Sequence, residues 1–150
     1  MRLDVGVGLR LLAARLLGLD AHREAVLGVE AFAARASLPV AAAFRYQDYF
    51  DNRHPCYAGH AGIGPDPKLA AAIKGADLLI TVGARLGEMT TGAYALIDVP
   101  NPKQTLVHVH PDGNELGTVY RAELPIIATA ATFAEALDRI AVPKSPPWAG

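Results

Sequence analysis

Apolar residues in this chain come in short runs, and the runs alternate between two periods. Over residues 21–36, Ala25, Val26, Val29, Phe32, Ala33 and Ala36 fall on one face of a helix, with Asp20 placed to cap it. A second helix is predicted over residues 67–74. Asp66 is its cap, Pro67 takes the first helical position and Gly75 supplies a left-handed stop. A third follows Thr132-x-x-Glu135, read as a capping box, with Ala136, Leu137 and Ile140 at helical spacing before Pro143.

Between the helices lie continuous apolar runs too short for helices. Residues 77–83 (Asp-Leu-Leu-Ile-Thr-Val-Gly) read as a strand buried on both faces, residues 105–110 and 124–128 as two further strands, and residues 38–43 as a weaker one. Strands alternating with helices predict an α/β fold with a parallel sheet covered on both sides. The first twenty residues support two readings. Residues 9–17 form a helix ended by Gly18, or Asp4-Val-Gly-Val-Gly8 forms a damaged strand and turn. The body is therefore assigned to residues 21–142, with 1–20 a poorly defined segment and the Pro-rich 143–150 a linker or tail. Two long connections, 44–65 and 84–104, are left, and connections of that length usually carry function or meet a partner.

Composition narrows the class. Hydrophobic residues make up 51% of the chain and charged ones 19%, which excludes a disordered chain. With 14 basic against 15 acidic side chains, nothing suggests nucleic acid or an anionic membrane surface as a partner. No apolar run approaches the roughly 18–20 residues of a membrane span, and no signal-peptide order is present, so the chain reads as cytoplasmic. The single Cys56 excludes a disulfide framework and any multi-cysteine metal site.

The most informative spot for chemistry is the end of the 77–83 strand, where Gly83-Ala84-Arg85 follows. Ligands of open α/β sheets sit outside the carboxyl ends of strands; Gly83 permits close approach and Arg85 offers paired donors to a phosphate. The competing reading is a tight turn with Arg85 as a surface cation. Gly59-His-Ala-Gly62-Ile-Gly64 precedes the Pro67 helix and is either an anion-binding loop or a packing loop, since Pro65, Asp66 and Pro67 oppose an anion. His108 and His110 share a strand face and His54 and His60 share a loop, but no ligand spacing for a metal appears. Ser37 and Ser145 lack a nucleophile elbow; Cys56 is either an inert lone cysteine, as most are, or one whose pKa His54 and His60 lower. The polar and aromatic stretch 45–55 is suited to packing against another chain or domain. No self-sufficient active site emerges, so no catalytic or metal-binding residue is assigned.

Four segments together carry a family likeness. Leu38-Pro-Val-Ala41, Gly59-x-x-Gly62, Ala76-Asp-Leu-Leu-Ile-Thr-Val-Gly-Ala-Arg-Leu86 and His108-Val-His-Pro-Asp-Gly-Asn-Glu-Leu-Gly117 resemble the central domain of thiamine-diphosphate-dependent enzymes of the acetolactate synthase type. The resemblance covers residues 38–140, about two-thirds of the chain. It implies a three-layer, six-stranded parallel sheet (five if the first strand is lacking) of Rossmann-like, sirtuin-like nucleotide-binding type. It also implies flanking domains that hold the pyrimidine and diphosphate of the cofactor. Thiamine diphosphate and magnesium then belong to the parent enzyme only, and this chain is a fragment or excised domain inactive alone. In some relatives this domain holds FAD or ADP, and Gly62, Gly83, Ala84, Arg85 and Asp112 match the pattern there. Three departures stand out. His110-Pro-Asp112 replaces an Asp-x-Asp, Ala128-Thr129 replaces a Gly-Asp, and Met1–Gly18 does not resemble the family's opening strand. A missing strand would leave an unpaired sheet edge, hence the expectation of a homo-oligomer.

The resemblance thus implies a non-catalytic central domain, for scaffolding, subunit contact or nucleotide binding, in a transferase or lyase acting on 2-oxo acids. A stand-alone nucleotide-binding or regulatory module is the alternative. A sirtuin-like NAD-consuming enzyme is a poorer fit, because one cysteine cannot supply its zinc site.

Overall fold

The computed structural model describes residues 10–14 and 19–144, with side chains from residue 23. Strands β1 (Arg10–Ala14), β2 (Val40–Ala42), β3 (Tyr57–His60), β4 (Leu78–Val82), β5 (Thr105–His110) and β6 (Leu124–Ile127) lie in one sheet, in the order β3-β2-β1-β4-β5-β6. Every pairing is parallel. Helices α1 (Leu19–Ala36), α2 (Pro67–Gly75) and α3 (Ala130–Asp138) complete the fold. The α/β reading with a parallel sheet therefore holds.

The apolar runs read as they do because alternate residues of one strand serve opposite faces. Leu78, Ile80 and Val82 of β4, with Val107 and Val109 of β5, pack against Val29, Phe32, Ala33 and Leu137 of α1 and α3. Leu79 and Leu106 turn the other way, onto Leu69 and Ile73 of α2. On that second face Leu86, Leu96 and Ile97 of the β4–β5 connection take the place of a helix.

Several local expectations are corrected. The helical reading of residues 9–17 fails, because Arg10–Ala14 is a strand paired with both β2 and β4. The sheet gap on which self-association was argued is thus filled, and from a position before residue 21. Asp4 to Gly8 and the 145–150 tail lie outside the described residues. Asp20 is inside the first turn of α1, which starts at Leu19, and is not its cap. Gly75 is the last residue of α2 and has no positive φ; the chain leaves through extended Ala76. The end of α2 is closed instead by buried Gln104, whose Nε2 donates to the Ile73 carbonyl at 2.9 Å. The cap of α3 is Thr129, whose hydroxyl accepts from the Thr132 N–H at 3.2 Å, so the box predicted at Thr132 sits one turn too late. The 44–65 connection also contains an unpredicted edge strand, β3.

Within the 45–55 stretch one aromatic residue is taken up by the chain's own core. Phe50 is buried in the α1/α3 cluster, stacked on Tyr57 with centroids 6.2 Å apart and edge-on to His54 at 5.1 Å. Among the described residues no helix is long and apolar enough to cross a membrane.

Candidate functional site

The strand order reverses between β1 and β4, and in open α/β sheets the crevice outside the carboxyl ends at such a point is where ligands bind. Four of the five residues singled out above come to this rim. Gly83 ends β4 with φ +68°, a conformation that favours glycine, and its N–H donates to the Val109 carbonyl at 2.8 Å. Ala84 is fully buried, and its carbonyl accepts from His108 Nε2 at 3.0 Å. Arg85 Nε lies 3.2 Å from Glu115 Oε2. Asp112, just past β5, accepts from the backbone N–H and the side-chain Nδ2 of Asn114 at 2.9 and 3.0 Å.

Gly62 is elsewhere. It follows β3 at the sheet edge, three strand spacings or about 14 Å from β4. Its lack of a side chain serves packing, since a Cβ there would stand 2.9 Å from Phe44 Cδ2. The neighbouring loop is no anion cradle either. Asp66 accepts from the Lys68 N–H at 2.7 Å, so the α2 N-terminus is capped by the chain's own carboxylate.

His108 and His110 are absorbed into structure. His108 is 3% exposed and holds Ala84. His110 accepts from the Asp112 N–H through Nδ1 at 3.1 Å, which fixes the turn after β5. Among the described residues no group of three or more His, Cys, Asp or Glu is placed to hold a metal. The lowered pKa for Cys56 is not found: burial raises it, and His54 Nδ1 accepts from the Cys56 backbone N–H instead of the thiol.

Electrostatics at the rim follow from these contacts. Hydrogen bonds from Asn114 hold the Asp112 carboxyl below the usual carboxylate range, with His110 and Arg85 adding to the effect. Burial pushes the His108 imidazole below its ordinary 6.5, only partly opposed by its bond to Ala84 and by Glu115, with His110 acting in the same sense as burial. A prediction follows for stability. As pH falls through about 6.5, the unfolded chain takes up a proton that folded His108 refuses, so stability decreases. Urea unfolding between about pH 5 and 7 should show this slope, and His108→Asn should flatten it; an equal slope in both proteins would refute the assignment.

Sequence reasoning missed Glu115, Tyr120 and Thr91. Beneath the Arg85–Glu115 pair is a small cavity of about 10 Å³ lined by Leu86, His108, Glu115, Gly117, Val119 and Tyr120. Tyr120 is 2% exposed; burial raises the pKa of its hydroxyl, and the Thr91 side chain opposes that shift. Thr91 organises the β4–β5 connection: its hydroxyl donates to the Gly87 carbonyl at 2.9 Å and accepts from the Tyr94 N–H at 3.2 Å. Contacts such as Arg85 to Glu115, thirty positions apart, have no local signature in the sequence.

Residues 16–137 match the family model described as thiamine pyrophosphate enzyme, central domain. The chain belongs to this family. It is 29% identical over 111 residues to the acetolactate synthase large subunit of Corynebacterium glutamicum, covering 74% of this chain and 17% of that protein. It is 28% identical over 116 residues to a sulfoacetaldehyde acetyltransferase of Alcaligenes xylosoxydans xylosoxydans, covering 77% of this chain and 19% of that protein. The chain thus spans less than a fifth of the length of either relative. The family implies a parent enzyme that depends on thiamine diphosphate.

The expectation of FAD or ADP at this rim can be set against its geometry. A nucleotide phosphate calls for free N–H donors and uncommitted positive charge. Here the Gly83 N–H is spent on Val109, Arg85 faces Glu115, and Asp112 adds a second carboxylate. Thr129 spends its hydroxyl on the α3 cap. Of these groups only the exposed end of the Arg85 guanidinium is left to meet an anion.

Proposed function

We propose that this central domain is a non-catalytic platform within a cytoplasmic thiamine-diphosphate-dependent transferase or lyase acting on 2-oxo acids. Its work is to space and contact the neighbouring pyrimidine- and diphosphate-binding domains, which carry the cofactor and its magnesium. The parent makes or breaks a carbon–carbon bond next to a keto group. The observation that carries this reading is the state of the rim, where backbone and side-chain polar groups are committed to one another. An edge whose polar groups bond one another suits a spacer; a reaction centre needs a nucleophile and base within hydrogen-bond reach. The names of the relatives, a synthase and an acetyltransferase, support the class of the parent.

The test uses the purified chain with thiamine diphosphate, magnesium and pyruvate. No turnover is expected, and calorimetry should detect no binding of thiamine diphosphate. Turnover of any 2-oxo acid by this polypeptide alone would overturn the proposal.

A further inference from the structure

The opposite end of the sheet, where the strands begin, gathers oxygens that no donor answers. β4 and β5 pair in register there, Leu78 with Thr105, and the Thr105 N–H donates to the Asp77 carbonyl at 2.8 Å. Asp77 and Gln104 are therefore cross-strand neighbours, one strand spacing or about 4.8 Å apart along the backbone. By strand alternation both side chains take the face of Leu79 and Leu106, which α2 covers. Asp77 Oδ1 and Gln104 Oε1 are both buried, and neither has a hydrogen-bond partner. We propose that these two oxygens, at the C-terminal end of α2, form a binding site for one monovalent metal cation of the potassium or sodium type.

Gln104 is 5% exposed, and its amide is locked in one orientation. Nε2 donates to the Ile73 carbonyl at 2.9 Å and to the Lys74 carbonyl at 3.4 Å, so turning the amide over would set Oε1 against two carbonyl oxygens. Oε1 is thus committed to face a donor that the chain does not bring. Asp77 compounds the need. It follows the Ala76 cap of α2, so its carboxylate stands at the helix end where unpaired carbonyls already make the field negative. Among the described residues no ion pair involves Asp77 or Lys74, and Lys103, beside Gln104, is held by Asp98 at 3.2 Å. A water would satisfy both buried oxygens but would leave the charge unanswered. A cation answers the two oxygens, the carboxylate and the helix end together. Oxygen ligands select a hard ion, and a single carboxylate balances one positive charge where calcium sites gather several.

Thermal unfolding of the intact chain in potassium, sodium, magnesium and choline chloride tests this, at one ionic strength so that screening is equal. Potassium or sodium should raise the midpoint over choline by about 2–6 °C, since an ion bound only by the folded state stabilises it. Magnesium, which keeps its waters and demands octahedral geometry, should match choline. Asp77→Asn and Gln104→Leu should each lose the difference between salts, whatever they do to the midpoint itself. Equal midpoints in all four salts would mean that a bridging water suffices, and would overturn the proposal. So would a difference that survives in both variants, or magnesium outdoing the monovalent ions. Should the variants fail to fold, thallous ion soaked into crystals of the wild type decides. An anomalous peak is expected beside Asp77 Oδ1 and Gln104 Oε1, and its absence there refutes the site. None of these measurements involves thiamine diphosphate, so either proposal can fail without the other.

Discussion

Replacing Phe50 with Ala is expected to cost about 3–5 kcal/mol of folding stability, the range for removing a buried aromatic from a core. Phe50 is 3% exposed and packs within the α1/α3 cluster, stacked on Tyr57. A domain of this size commonly has about 5–15 kcal/mol in total, so the variant should be visibly fragile in urea. Arg53→Ala in the same connection is the control. The Arg53 side chain is 92% exposed and paired with Asp51, so its loss should leave the urea midpoint nearly unchanged. If Phe50→Ala proved as mild as Arg53→Ala, the segment would not belong to this core, and a partner chain would be its natural cover.

The second large effect concerns the crossing of α1 and α3. A Cβ at Gly28 would stand 2.8 Å from the Ala134 Cβ, so the two helices touch through a glycine. Gly28→Leu should force them apart and destabilise by about 2–3 kcal/mol. Gly28→Ala is subtler. Its better helix propensity returns up to about 1 kcal/mol, but the clash is with a rigid methyl and should outweigh that gain. Moving the methyl across the interface supplies the decisive measurement. Gly28→Ala combined with Ala134→Gly should be more stable than the sum of the two single effects predicts, by about 0.5 kcal/mol or more. Strict additivity would show that the helices do not meet at this point.

These two positions illustrate how unevenly the fold could be read. Gly28 in α1 looks, in one dimension, like a weakness in a helix; only the proximity of Ala134, more than a hundred positions later, makes it a requirement. Phe50 sits in a polar, aromatic stretch whose composition suits an interface, and composition is blind to which surface is covered. By contrast, β4 and β5 were legible because a strand buried on both faces must be apolar without interruption. The α2 start was legible because Asp66 and Pro67 act within their own turn. β1 and β3 escaped for the opposite reason. β1 is a short run flanked by arginine and glycine, and β3 (Tyr-Ala-Gly-His) carries no period of two; both are strands by virtue of their neighbours.

The rim divides along the same line. That Gly83-Ala84-Arg85 ends a buried strand, and that Asp112 follows another, is a matter of local pattern, and the family likeness rests on the same residues. Local chemistry alone therefore determined the α/β class, the main strands and the place where a ligand would be sought. Whether anything is accepted there depends on charge balance and hydrogen-bond partners, and those come from residues far apart in the chain. Glu115 reaching Arg85, His108 holding Ala84 and Gly62 following a strand at the far edge of the sheet were decided only by the tertiary structure. The physical reason is range: capping and periodicity act within a turn or a strand, whereas a site's electrostatics and desolvation act through space.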